Sequence, residues 1–174
     1  MSTADLLKKQ IGLSRMVFDG TIADISEDQC AKIPGGNAHS IGASVAHAVM
    51  SEDFVLNGMV RGGQPLMMTT FAGKTGVSEP PPPPGDEAAS LAWANRVTVD
   101  VPALKDYAKA VYASTDEYLS SLSDADLDKE IEFPQLGKQS LASMITLFAI
   151  VHPSNHIGEV AALKGMGGAK GYPF

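Results

Sequence analysis

Over residues 139–165 the chain reads as one long helix that carries two histidines one turn apart. Leu141, Ile145, Phe148, His152, His156, Glu159 and Leu163 follow one another at steps of three or four, which lays them along a single helical stripe. An otherwise apolar stripe therefore holds two imidazoles and a carboxylate at one level. Side chains four apart on a helix lie about 5–6 Å apart, close enough for two ring nitrogens to face one ion. A pair of packed core histidines satisfies the same spacing, so these residues alone leave metal ligand and structural pair equally open. The pattern is not the H-E-x-x-H of zinc proteases, because Pro153, Ser154 and Asn155 fill the gap and no glutamate stands between the histidines. Pro153 removes a backbone donor and presses on the preceding turn. That predicts a kink, or a helix that restarts at Pro153 with His152 at its cap.

What the stripe packs against has to come from upstream. Residues 3 to 24 keep a 3.6-residue period through Leu7, Ile11, Ser14, Phe18, Ile22 and Ile25, with Thr3 as the expected cap. Ser26-Glu27-Asp28-Gln29 has the form of a capping box and predicts a short further turn. Ile33-Pro34-Gly35-Gly36-Asn37 is a loop by its turn chemistry. Ser40 opens a second helix running to about Arg61, which Gly62-Gly63 ends. His47 lies in its middle on a face with Ala43, Met50, Ser51 and Phe54, among small residues that let a neighbouring helix approach closely. Taken alone, His47 reads as a packed core histidine. His39, in the loop before, reads as solvated or capping.

Residues 62–99 show no sustained period. They include five consecutive prolines, Pro80 through Pro84, which are stiff and extended. The run reads as a rigid spacer; a recognition site for a proline-binding module is the alternative, without flanking basic residues. A connection this long crosses a domain from end to end or covers a site. Leu91, Trp93 and Val97 are expected to tack it onto the core, with Trp93 packed there or lining a pocket mouth. Asp100 and Pro102 open a third helix with Leu104, Ala108, Val111, Thr115, Tyr118 and Leu122 inward. Ser123 to Asp126 reads as another cap, Ile131-Glu132-Phe133-Pro134 as an extended link, and Gln135-Leu136-Gly137-Lys138 as the turn into the last helix. The glycine-rich tail ends Tyr172-Pro173-Phe174; such tails are often mobile, but the aromatic end predicts docking.

Four long amphipathic helices predict an all-α four-helix bundle. Short links at 26–39 and 123–138 allow antiparallel neighbours, and the long 62–99 crossover lets helices two and three run the same way. The 174 residues fit a single domain, 1–174, and the 44% hydrophobic, 19% charged composition is that of a folded chain. A net charge of −7 argues against a nucleic-acid partner and against anionic lipid. Cys30 is the one cysteine, so no internal disulfide forms, which suits a reducing cytoplasm. The first residues show no signal peptide, and no stretch has the apolar length of a membrane span. In a bundle, sites are built from side chains that face one another across the core. That geometry could bring His47 to His152 and His156.

Ser40-Ile41 leading to His47, the Leu122-Ser123-Asp124 turn with Leu127, and the closing His152-x-x-x-His156-Ile157-Gly158-Glu159 occur in an order that is familiar, as does the stretch from Lys164-Gly165 to Gly171-Tyr172-Pro173-Phe174. Over nearly its whole length the chain resembles the DinB-like (DinB/YfiT-like) superfamily of metal-dependent enzymes. The resemblance implies up-down-down-up helix order and one divalent metal ion held by His47, His152 and His156; Pro153 is this chain's own departure from the pattern. Relatives include transferases and isomerases that use low-molecular-weight thiols such as mycothiol or bacillithiol, and dimers are common among them, so a thiol cosubstrate and a homodimer are expected.

Three neutral imidazoles leave an ion doubly charged with open positions, the mark of a catalytic rather than a closed structural site. A water or thiol there becomes a nucleophile at neutral pH. Glu159, one turn from His156, is the expected catalytic carboxylate, as proton acceptor or as a partner that orients the ligand; a solvent-facing carboxylate is its bland alternative. Imidazole suits zinc, nickel, copper and iron alike, with zinc the first expectation and nickel or iron next. The expectation is an enzyme that activates a thiol or water against a small electrophilic substrate, an S-transferase or hydrolase. A stress-associated binding protein with a structural or empty metal site is the alternative, and an adaptor acting through the proline run a third. No Ser-His-Asp set, phosphate loop or dinucleotide fingerprint supports serine hydrolysis or nucleotide chemistry.

Overall fold

Ser2, not Thr3, caps the first helix. The computed structural model describes residues 2–83, 85–133 and 136–174, and in it helix α1 spans Thr3–Ile22. Ser2 Oγ accepts the Asp5 N–H at 3.1 Å while Asp5 Oδ2 accepts the Ser2 N–H at 3.1 Å. This reciprocal pair needs the acid three residues after the cap, and Asp5 stands in that relation to Ser2. The same device opens α2 (Glu27–Ala31) through Ser26 and Gln29 and α6 (Asp124–Leu127) through Ser123 and Asp126. Ser40 caps α3 (Ile41–Glu52), which runs on without a break into a π-helical segment, Asp53–Val60. Asp100 caps α5 (Val101–Ser120), with Pro102 in its first turn.

The expected last helix is three consecutive segments: α7 (Leu141–Thr146), a π-helical stretch (Leu147–Val151) and α8 (His152–Met166). It starts later than residue 139 because Ser140 is the cap, accepting the Ser143 N–H. Gln139 belongs instead to a small hairpin of β1 (Glu130–Phe133) and β2 (Gly137–Ser140), paired antiparallel with Ile131 opposite Gln139. The stretch expected as a lone extended link therefore satisfies its backbone groups across a ladder; Pro134 and Gln135 lie outside the described residues.

The chain is of the all-α class with this one small sheet among the described residues. Helix α3 packs against α8 and α5, and α1 packs against the same two. One apolar cluster holds Phe18, Val45, Val49, Trp93, Tyr107 and Val111; a second holds Leu7, Ile11, Leu56, Leu119, Met144 and Ile145. The small residues of α3 (Ala43, Ser44, Ala46 and Ala48, all buried) allow the close approach to α8 that their size predicts.

The 62–99 crossover is pinned at several points. Asp53 is fully buried. Its Oδ1 accepts from Asn57 Nδ2 at 2.8 Å and from the Leu66 N–H at 2.9 Å. Its Oδ2 accepts from the Met67 N–H at 2.9 Å and from the Tyr107 hydroxyl at 2.6 Å. Farther on, Val77 bridges Val99, and the Asp100 N–H reaches the Gly76 carbonyl at 2.7 Å. A helix absent from the sequence expectation, α4 (Glu87–Ala94), carries Trp93 into the core at 1% exposure. Its indole N–H donates to the Glu79 carbonyl at 3.0 Å, just before the prolines. Trp93 is thus a packing residue. Pro80 to Pro83 run on without regular structure, and Pro84 lies outside the described residues. No helix among those residues is long and apolar enough to cross a membrane.

Candidate metal centre

Pro153 shapes the helix that presents the two downstream histidines. Its ring collides with a carbonyl four residues back in an ordinary α-helix, and it has no N–H to offer. The chain does not stop: it widens into the π turn of Leu147–Val151, where the His152 N–H reaches five residues back to the Leu147 carbonyl. Regular α geometry resumes at His152, with Pro153 in the first turn of α8, a position where a missing N–H is tolerated. The restart is therefore one residue earlier than expected. A π turn also rotates everything beyond it relative to the stripe before it, so the phase of His152 and His156 is set by that turn. π segments of this kind are frequent at functional sites, and α3 continues into one as well.

From these two helices the three imidazoles meet. His152 Nε2 lies 3.2 Å from His47 Nε2 and 3.2 Å from His156 Nε2. The ring centroids are 5.0, 4.9 and 4.6 Å apart around the triangle, and the ligand atoms all fall within 4.8 Å of one another. All three residues are half-buried, so the cluster is neither sealed in the core nor open on the surface. His39, read from sequence as solvated or capping, is half-buried and outside the cluster; Ser40 takes the cap.

The electrostatics favour neutral rings at His47 and His152. Burial first, then the charges of His156 and His39, push the His47 pKa down to about 4. Burial, then His156 and His47, push His152 down to about 3. Both are therefore unprotonated at neutral pH, with lone pairs available. His156 is oriented by Glu159, whose Oε2 lies 2.9 Å from Nδ1. A carboxylate only accepts, so a proton sits on Nδ1, which leaves Nε2 facing the other two rings.

These residues fit a metal ion. A tetrahedral ion with nitrogen ligands at about 2.0–2.1 Å holds those nitrogens roughly 3.3 Å from one another, by the geometry of the tetrahedron. Two of the three edges here are 3.2 Å. Facing lone pairs at that range repel unless a proton or a cation lies between them. A carboxylate on the outer nitrogen of one ring is also the usual support of a metal-binding histidine. His152 Nδ1 lacks this support: it is buried without a partner among the described residues. The Phe148 ring, 5.9 Å from that of His152, forms an apolar wall beside it. Sequence spacing put Phe148 on the stripe but did not single it out, because an aromatic residue in a helix is ordinarily core.

A family model for the DinB superfamily matches residues 10–160. The chain belongs to the DinB superfamily. All three histidines of this DinB-superfamily chain fall inside the matched region, as does Glu159. A crystal structure of a conserved protein from Enterococcus faecalis shares the fold, with a TM-score of 0.78 over 94% of this chain and 96% of that one at 19% identity. No curated protein matches the chain.

Proposed function

We propose that the protein is a DinB-type metal-dependent enzyme in which His47, His152 and His156 hold one divalent ion that activates a thiol or water against a small electrophile. The single observation behind this is the convergence of three Nε2 atoms from two helices, with 3.2 Å edges and half-buried rings. A divalent ion on three neutral imidazoles keeps its full charge and open positions, and makes a thiol or water that binds there more acidic. The protein's own part is to keep the His47 and His152 rings neutral by burial, to orient His156 through Glu159, and to shield one side with Phe148. Glu159 sits on the outer nitrogen of His156, so its geometry supports an orienting role better than that of proton acceptor.

Finer features stand with this proposal. The four long helical stretches pack in a closed ring, α1 to α8 to α3 to α5 and back to α1, which supports a four-helix bundle in up-down-down-up order as one domain over 1–174. Family membership supports zinc, with nickel or iron next, a low-molecular-weight thiol as cosubstrate, a homodimer and a cytoplasmic location.

Metal content of untagged protein, measured by mass spectrometry, tests the ligand set. The expected result is close to one equivalent in the wild type and almost none in His47→Ala. Equal metal in both defeats the assignment. A cobalt-substituted sample then separates catalysis from mere binding. A visible spectrum that shifts on adding a thiol supports an open position, and an unresponsive one favours a non-catalytic binding protein.

A further inference from the structure

A cavity of about 260 Å³ lies on the other side of α3 from the histidines. Ile41, Val45 and Val49 of α3 line it at steps of four. His47 is two residues from Val45, roughly 200° round the helix at 3.6 residues per turn, so the cavity and the metal cluster do not share a wall. Phe18 and Ile22 of α1 and Leu104 and Ala108 of α5 close its other sides. The Cys30 sulfur at one end is wedged against the α3 backbone, since a Cβ on Gly42 would come within 2.7 Å of it. Burial pushes the thiol pKa up, so this end of the cavity is uncharged and behaves as a small hydrophobe.

The rim is different. Lys105 and Lys109 line it there with Asp19. Lys109 is exposed and pairs with Asp106 at 3.0 Å. Lys105 is half-buried, and the hydrogen bond its ammonium makes among the described residues is a long one, 3.4 Å to the Ala23 carbonyl. It has donors to spare at the mouth of an aliphatic chamber.

We propose that this cavity is a second binding site, distinct from the metal centre, for a small aliphatic monocarboxylate whose tail fills the chamber and whose carboxylate pairs with Lys105. At about 30 Å³ for each water-sized group, the chamber takes a chain of about eight carbons. Charge-assisted pairing with a partly desolvated ammonium selects an acid over the alcohol or amine of equal length.

Calorimetric titration of the full chain with octanoate tests this. The expected result is saturable one-to-one binding. Hexanoate, two methylenes shorter, binds about tenfold more weakly. Lys105→Ala weakens octanoate about tenfold or more and leaves 1-octanol unchanged. His47→Ala binds octanoate as the wild type does. The chain-length series needs no variant, so it stands whether or not Lys105→Ala folds. Failure to saturate, equal affinity for hexanoate and octanoate, or equal affinity for octanoate and octylamine overturns the proposal. Loss of octanoate binding in His47→Ala also overturns it, by placing the carboxylate on the metal centre.

Discussion

At the scale of single residues, the histidine cluster makes a prediction about pH that needs no substrate. In metal-free protein the folded-state pKa values of His47 and His152 lie near 4 and 3, below the ordinary 6.5 that both recover on unfolding. Between those values the unfolded chain binds protons that the folded chain refuses, so stability falls as pH drops from about 6.5 toward 4. Thermal midpoints in chelator at pH 7 and pH 5, for wild type and for His47→Leu/His152→Leu, isolate this contribution. The double variant is expected to gain on the wild type at pH 5; an unchanged difference refutes it. Glu159 gives a second test at this scale. Glu159→Gln keeps an acceptor for the His156 Nδ1 proton and Glu159→Ala does not. The expected order of metal affinity is wild type, Gln, then Ala, with Ala weakened by about ten- to a hundredfold. Ala binding as tightly as wild type would exclude an orienting role. His152 and His156 were legible in the sequence as a pair, because two histidines four apart share one helical stripe, but the stripe alone left metal ligand and structural pair equally open. His47 was not legible on its residues alone: one histidine among small residues looks like core, and only the resemblance to relatives joined it to the others.

At the scale of elements, caps were legible and the crossover was not. A serine that accepts a backbone N–H three residues on announces a helix start by a local hydrogen bond, and Ser26, Ser40 and Ser123 all cap as expected. Residues 62–99 are held instead by distant groups. Asp53 gathers two backbone donors of this segment together with Tyr107 and Asn57. Asp53→Ala leaves those donors buried without a partner, and urea unfolding is expected to show a loss of about 3–5 kcal/mol. Gly76 is the other fixed point. Its φ is +76°, and an added Cβ would lie 2.5 Å from the Leu104 nitrogen and 2.6 Å from the Asp100 carbonyl oxygen. Gly76→Ala is expected to cost about 2–4 kcal/mol in the same measurement, whereas Gly73→Ala, at φ +68° with open space around it, costs less. Equal losses at the two glycines would show that close approach to α5 is not what Gly76 serves. Helix α4 had its own signals, Asp86 as a cap and the good helix formers Glu87, Ala88 and Ala89, but the prolines beside it dominated the reading. The hairpin had none strong enough: its strands are four residues each and only Phe133 among the described strand residues is fully buried.

At the scale of the whole molecule, the last turns of the first and last helices are locked together. Lys164, 3% exposed, donates from Nζ to the Thr21 carbonyl at 2.6 Å and to Asp24 Oδ1 at 2.5 Å. The last turn of α8 thereby satisfies an orphan carbonyl at the end of α1. Lys164→Met is expected to lower the thermal midpoint by about 5 °C without changing metal content; loss of metal would instead mean that this clamp positions the histidines. The tail then folds back, with Pro173 lying where a Cβ on Gly20 would come within 2.9 Å, but the aromatic rings do not carry the contact as expected: Tyr172 is 41% and Phe174 79% exposed. The sequence by itself determined the long helices, most of their caps and the membership of the histidine set, because periodicity and capping are local and a family pattern is carried in order along the chain. Only the tertiary structure decided that the three Nε2 atoms share one point, that Glu159 faces the outer nitrogen of His156, and that a separate chamber opens behind α3. Those depend on the rotation introduced by the π turn ahead of Pro153 and on packing between segments as far apart as the 105 residues that separate His47 from His152, and no local pattern encodes either.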